Sequence, residues 1–296
     1  MSQQTPAELS FFVAPPFDGY LLRDFLARMG VSSGLARQVK RAGGFFAADR
    51  PLRTCDRVAA GMTVRFALPP EPPTTVAAER IPLRIVYESA HAVVLDKPAG
   101  MAVHPTLNYA GGTLANAWMG LLEERGEAGV FRPVNRIDCN TSGLVLCAKN
   151  AFAAPLLAQS SEKWYLALVQ GVPPEEKGVI DAPIGRAPGS IILRCVCGDG
   201  KPSRTEYEVV RRCGPYTLVK ARTLTGRTHQ LRVHFSHVGC PLAGDDLYGG
   251  SRTDIGRHAL HCGCIRFTEP ASGETVQAES PLPADMAALA ENVTGI

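Results

Sequence analysis

Consecutive prolines in Leu68-Pro69-Pro70-Glu71-Pro72-Pro73 constrain this chain more than any other stretch. Proline fixes its own φ and has no amide hydrogen to donate, so neither a helix nor a sheet ladder continues across the run. The 296 residues are therefore expected to divide into a small unit over residues 1–70, an extended linker over 71–79, and a larger unit over 80–296. Each folded part is long enough to bury a core of its own.

In the small unit, Leu21, Leu22, Phe25, Leu26 and Met29 recur at helical spacing, and Gly30 is a stop. Ser32 or Ser33 can cap a second helix, with Leu35 and Val39 on one face and Arg37, Lys40 and Arg41 on others. Short strands are expected around Phe45-Phe46 and from Met62 to Leu68. Past the prolines the pattern changes to many short apolar runs, at 85–88, 92–97, 144–147, 165–169, 205–210 and 216–221, with a helix expected from Thr113 to Leu122. Strands this numerous with few helices between them predict an α+β domain built on a mixed, mainly antiparallel sheet.

Composition excludes several classes. No apolar run approaches the ~20 residues needed to span a bilayer, and Met1 to Ser10 has neither the basic start nor the apolar core of a signal peptide. Nine cysteines, several inside strand-like runs, read as reduced thiols of a cytoplasmic protein. Net charge is only +3, but it is unevenly spread. Seven Lys/Arg face two acids between Gly30 and Arg65, and eleven face five between Lys201 and Arg266. Two basic blocks suggest a polyanion touched at two places.

Four segments carry the groups able to do chemistry. Asn135-Arg136-Ile137-Asp138-Cys139-Asn140-Thr141-Ser142-Gly143 puts a carboxylate beside an arginine in turn-forming sequence, directly before an apolar strand. Asp96-Lys97-Pro98-Ala99-Gly100 leaves a strand for a sharp loop and leads to His104. Lys163 to Gly171 is a strand opening with Trp164-Tyr165. Thr225 to Pro241 contains Arg227, His229, Arg232, His234 and His237. It alternates like a strand, yet Leu231, Phe235 and Val238 also share a helical face before Gly239. The helix is favoured, with Thr228 as its N-cap and Arg227 at its entrance.

Together with Gly244-Asp245-Asp246-Leu247-Tyr248-Gly249 and Arg257-His258-Ala259-Leu260-His261, these segments strongly resemble, in order, the pseudouridine synthases of the RluA/RluD type. The first seventy residues are similar to the small S4-type RNA-binding domain, although Ala47-Ala48-Asp49-Arg50 replaces its usual Asn-Gly-type turn. The resemblance implies the pseudouridine synthase fold and an enzyme that isomerises uridine to pseudouridine in structured RNA. Ribosomal RNA is the first expected partner and transfer RNA the second; the chain is expected to be a monomer. It implies that Asp138 is the catalytic carboxylate, that Arg227 pairs with it, that Tyr165 lies against the uracil, and that Arg136 helps extrude the nucleotide. Arg37, Lys40, Arg41, Lys97, His104 and Arg232 are expected to contact RNA. The family pattern has His where this chain has Asn135, and Leu where it has Ile137.

Isomerisation balances its own atoms, so no cofactor and no metal is expected. Cys195-Val196-Cys197 and Cys262-Gly263-Cys264 invite a zinc reading, but one-residue spacing within strand-like sequence favours buried thiols. The rival from another class is a non-catalytic RNA-binding or ribosome-assembly factor on a retired synthase scaffold, motivated by Asn135.

Overall fold

The computed structural model describes residues 8–291. The expected domain limits at residues 1 and 296, and most of the segment examined for a signal peptide, lie outside them.

The N-terminal part contains β1 (Glu8–Phe12), α1 (Leu22–Arg28), α2 (Ser33–Ala42), β2 (Phe45–Ala47), β3 (Arg50–Leu52) and β4 (Thr63–Ala67). Leu22, Phe25 and Leu26 are buried at helical spacing, as are Leu35 and Val39, while Arg37, Lys40 and Arg41 are exposed. The Ser32 hydroxyl caps α2 by accepting the Leu35 amide at 3.2 Å. The strands form an antiparallel sheet in the order β1-β4-β2-β3. β1 is an addition to the expected helix-helix-strands order. The departure from an Asn-Gly turn has a local compensation: Ala48 takes the left-handed conformation (φ 49), and its carbonyl accepts two bonds from Arg65, at 3.1 and 2.7 Å.

The larger part runs β5 (Arg84–Glu88), β6 (Ala92–Lys97), α3 (Leu114–Arg125), β7 (Ser142–Ala148), α4 (Ala153–Ser160), β8 (Glu162–Gln170), β9 (Lys177–Asp181), β10 (Ile184–Arg186), β11 (Arg194–Val196), β12 (Arg204–Cys213), β13 (Tyr216–Thr223), α5 (Gln230–His237), β14 (Leu260–Thr268), β15 (Thr275–Glu279) and α6 (Ala284–Glu291). Eight strands follow the order β5-β6-β7-β14-β8-β13-β12-β9, with β15 paired to β14, and β10 and β11 form a separate ribbon. All of the pairings are antiparallel except β7 with β14, which makes the architecture α+β with a mixed, mainly antiparallel sheet. At the parallel join Gly143 has φ 104, and a Cβ there would sit 2.3 Å from the Cys262 carbonyl oxygen. Only glycine fits that position.

β7 is buried along its whole length because the sheet centre is covered on both faces. The same burial explains the unbroken run from Leu144 to Cys147. The two parts do not sit apart. Phe152, just before α4, belongs to the N-terminal core and meets Phe11 edge-on at 5.8 Å. The proline segment is also tethered: Glu71 pairs with Arg132, the Asn116 side chain donates to the Ala77 carbonyl at 2.9 Å, and Glu79 accepts the Gly112 amide. It lies along α3 as an extended strap, which its composition allows and its partners fix.

Candidate active site

Asp138 lies in the loop that enters β7, and that loop is fastened from both sides. The Val134 amide donates to the Leu146 carbonyl at 2.7 Å. Asn135 continues this pairing with its side chain: its Oδ1 accepts the Leu146 amide at 2.8 Å and its Nδ2 donates to the Leu144 carbonyl at 3.2 Å. The buried amide thus replaces a strand peptide, satisfying backbone groups that would otherwise be orphaned. Beyond the acid, the Cys139 carbonyl accepts the Gly100 amide at 3.0 Å and Lys97 Nζ at 2.9 Å. Arg257 donates to the Asn140 carbonyl at 3.1 Å, and the Thr141 hydroxyl lies 2.8 Å from His258 Nε2.

The partner of the acid comes from α5. Arg232 Nη1 donates to Asp138 Oδ2 at 3.1 Å, while its Nε and Nη2 make a bidentate pair with Asp245 at 2.8 and 2.7 Å. The Asp245 side chain is fully buried and that of Arg232 nearly so, whereas Asp138 is 29% exposed. Asp245 therefore cancels the arginine's charge while its fork geometry fixes the guanidinium plane. An N–H of Nη1 then aims Asp138, which lies at the open end of the cluster. Tyr248 stacks on Arg232 with its ring centre 5.0 Å away.

Arg227 does not make the expected pair. Its Nε donates to the Pro202 carbonyl at 3.1 Å, on a different wall. The reason is local. Gln230, the first residue of α5, turns its Oε1 back to the Arg227 amide at 3.0 Å, and His229, in left-handed conformation (φ 58), takes the N-cap position expected of Thr228. The helix thus starts two residues later than Thr228, and the inward guanidinium is that of Arg232.

Two residues expected to contact RNA are engaged within the protein. Lys97 is 1% exposed, and its Nζ is used up by the carbonyls of Pro98 (2.8 Å), Met101 (2.6 Å) and Cys139 (2.9 Å). Burial pushes its pKa down to about 8. The Arg232 guanidinium is engaged by the two aspartates. His104 is half-buried, edge-on to Phe131 at 5.0 Å; burial first and the Arg136 charge second lower its pKa. Arg136 is exposed beside the acid, and Arg37, Lys40 and Arg41 are exposed on α2.

Tyr165 is buried in β8, opposite Cys262 of β14 and within the field of Asp138. Burial above all, then the neighbouring Cys262 and Asp138, raises its pKa well above the ordinary tyrosine value, so at neutral pH the ring carries a protonated hydroxyl. Burial also lowers the His229 pKa and brings that of His258 down to about 3, leaving two neutral imidazoles near the acid. His229 Nε2 lies 3.8 Å from Asp138 Oδ2, and its Nδ1 lies 2.7 Å from the Tyr248 hydroxyl. Asp245, Tyr248 and His258 went unassigned in the sequence reading. The available signal was an acid flanked by the apolar Leu242-Ala243, since a carboxylate buried there needs a cation. Cys195 lies in the small ribbon with Cys197 just after it, and Cys262 and Cys264 lie in the large sheet; among the described residues no group of three or more His, Cys, Asp or Glu is arranged to hold a metal ion.

The family model described as RNA pseudouridylate synthase matches residues 91–237. An uncharacterized RNA pseudouridine synthase of Bacillus subtilis, YlyB, is 41% identical over 246 residues, covering 80% of this chain and 81% of its own. The ribosomal large subunit pseudouridine synthase D of Nitrosomonas europaea is 40% identical over 233 residues, covering 74% and 67%. Among solved structures, human RNA pseudouridylate synthase domain containing 1 superposes with a TM-score of 0.58 at 29% identity, covering 74% of this chain and 90% of its own. The chain belongs to the RNA pseudouridine synthase family. Among the described residues no helix is long and apolar enough to cross a membrane.

Proposed function

We propose that this protein converts particular uridines of structured RNA, ribosomal RNA above all, to pseudouridine, with Asp138 as the catalytic carboxylate. The observation that carries the reading is an aimed, partly exposed carboxylate whose arginine is already neutralised by a buried acid. The N1–C1′ bond of uridine breaks, the uracil turns, a C5–C1′ bond forms, and the C5 proton is lost while N1 gains one. A carboxylate fixed in direction by an arginine is suited to attack on sugar or base. Tyr165 supplies a buried ring against the uracil. Exposed Arg136 fills the stack that the extruded nucleotide leaves. The N-terminal unit, over residues 1–70, would add phosphate contacts through Arg37, Lys40 and Arg41. The protein would act as a cytoplasmic monomer.

Asn135 lends no weight to the retired-synthase alternative, because its amide serves the strand and leaves the acid's partners in place. The test is tritium release from C5-tritiated RNA of cells lacking the protein. The wild-type protein should release tritium, and Asp138→Asn should release none while remaining folded. Equal release by the variant would remove Asp138 from the mechanism.

A further inference from the structure

Outside the Asp138 cluster, four cations line a cleft of about 440 Å³: Arg186 of β10, Arg194 of β11, Lys201 after the ribbon, and Arg227 ahead of α5. Among the described residues none of the four stands in an ion pair. Asp199 is the single carboxylate on the lining, so the cleft carries a surplus of three positive charges. A surplus of this size gathered in one concavity raises the local concentration of anions.

The cations are held, yet their charge is unspent. Arg194 Nη1 donates to the carbonyls of Ile192 and Leu193, both at 3.0 Å, and Arg227 Nε donates to the Pro202 carbonyl at 3.1 Å. Neutral acceptors orient a guanidinium without cancelling it, leaving its remaining N–H groups for an anion. The wall beneath them is stiff. Ile184 and Lys201 exchange both backbone hydrogen bonds, at 3.0 and 2.9 Å. Gly200 approaches so closely that a Cβ would lie 2.7 Å from the Ile184 carbonyl carbon.

The cleft is also wired to the acid. The Tyr248 hydroxyl accepts the Arg194 amide at 3.1 Å and lies 2.7 Å from His229 Nδ1, while His229 Nε2 lies 3.8 Å from Asp138. Two side chains thus separate an anion seat from the carboxylate. A strand whose target nucleotide reaches Asp138 must lay its neighbouring phosphates close by, and planar guanidinium forks suit phosphate oxygens.

We propose that this cleft is a backbone-phosphate seat for the RNA strand flanking the target uridine, with Arg186, Lys201 and Arg227 as its contact residues. The inference rests on the RNA substrate proposed above. It also gives Arg227 a role in binding in place of the pairing expected from sequence.

The experiment combines Arg186→Gln, Lys201→Gln and Arg227→Gln in the full chain. Radiolabelled bulk RNA from cells lacking the protein is titrated by filter binding across a range of salt. Each lost phosphate contact reduces the slope of log affinity against log salt by about 0.7–0.9. The slope should therefore fall by about two, with affinity at low salt down at least tenfold. The charge-keeping variant Arg186→Lys with Arg227→Lys should retain the slope, which separates loss of charge from loss of fold. Lys177→Gln, an exposed lysine of β9 paired with Glu208, should change nothing. An unchanged slope in the folded triple variant would overturn the proposal. Binding is read whether or not tritium is released, so failure of the cleft and failure of the isomerase reading are distinguishable.

Discussion

The basic face of α2 and the basic residues around Asp138 look alike in sequence, and the fold uses them in opposite ways. Arg37, Lys40 and Arg41 stand in water on a helix whose other face supplies the core. Lys97 and Arg232 are buried, and their N–H groups are committed to three carbonyls and to two carboxylates. A cation on a surface is available to a polyanion; one whose donors are engaged inside is scaffold. Residue type does not separate the two, whereas burial and bonding partners do.

The sharpest way to break this contrast is at the acid that the buried set serves. Asp138→Asn should cut tritium release by at least about 10⁴-fold, the scale of losing an essential group, with no change in the thermal transition. Lys97→Met should act in the reverse sense, on stability first. It strands three carbonyls at the loop and should cost about 3 kcal/mol in urea unfolding, with RNA affinity unaltered in the folded fraction. A lysine that bound RNA would instead weaken affinity and leave stability alone.

The pH dependence of stability probes the same buried layer. The His258 pKa is brought down to about 3 from an ordinary value near 6.5. Between these limits the unfolded chain binds more protons than the folded one, so stability is complete above about pH 6.5 and is lost as pH falls toward 3. His229, His234 and His261 are shifted in the same direction by burial. Urea titrations from pH 7 to 4 should show a progressive loss, of which His258 accounts for up to about 3 kcal/mol. His258→Gln should flatten the profile; an unchanged profile would mean the imidazole is not held neutral. The exposed cations should give the smallest effect. Arg37→Gln, Lys40→Gln and Arg41→Gln together should weaken RNA binding by about tenfold at low salt, through counterion release alone, and leave single-turnover rates intact.

Much of the architecture was legible because it rests on local physics. Periodicity found α1, α2 and α3, and continuous apolar runs found the central strands. The short strands escaped. β3 and β10 have three residues each, too few for any period, and β1 becomes a strand through its ladder with β4. At the site, turn chemistry and family likeness singled out Asp138 and Tyr165, but the choice between Arg227 and Arg232 depended on where α5 begins. Gln230 decides that by folding back on the Arg227 amide, and such a side-chain bond leaves no trace in periodicity. Asn135 was an anomaly as sequence and became legible only beside β7, where an amide does the work of a peptide.

α5 aims the acid through Arg232 and leaves Arg227 to the outer cleft. Single-turnover tritium release at saturating enzyme, compared for Arg232→Gln and Arg227→Gln, tests it directly. The account predicts a loss of at least about 10²-fold for Arg232→Gln, on the scale of one transition-state contact, and a change within twofold for Arg227→Gln. The reverse order would contradict it.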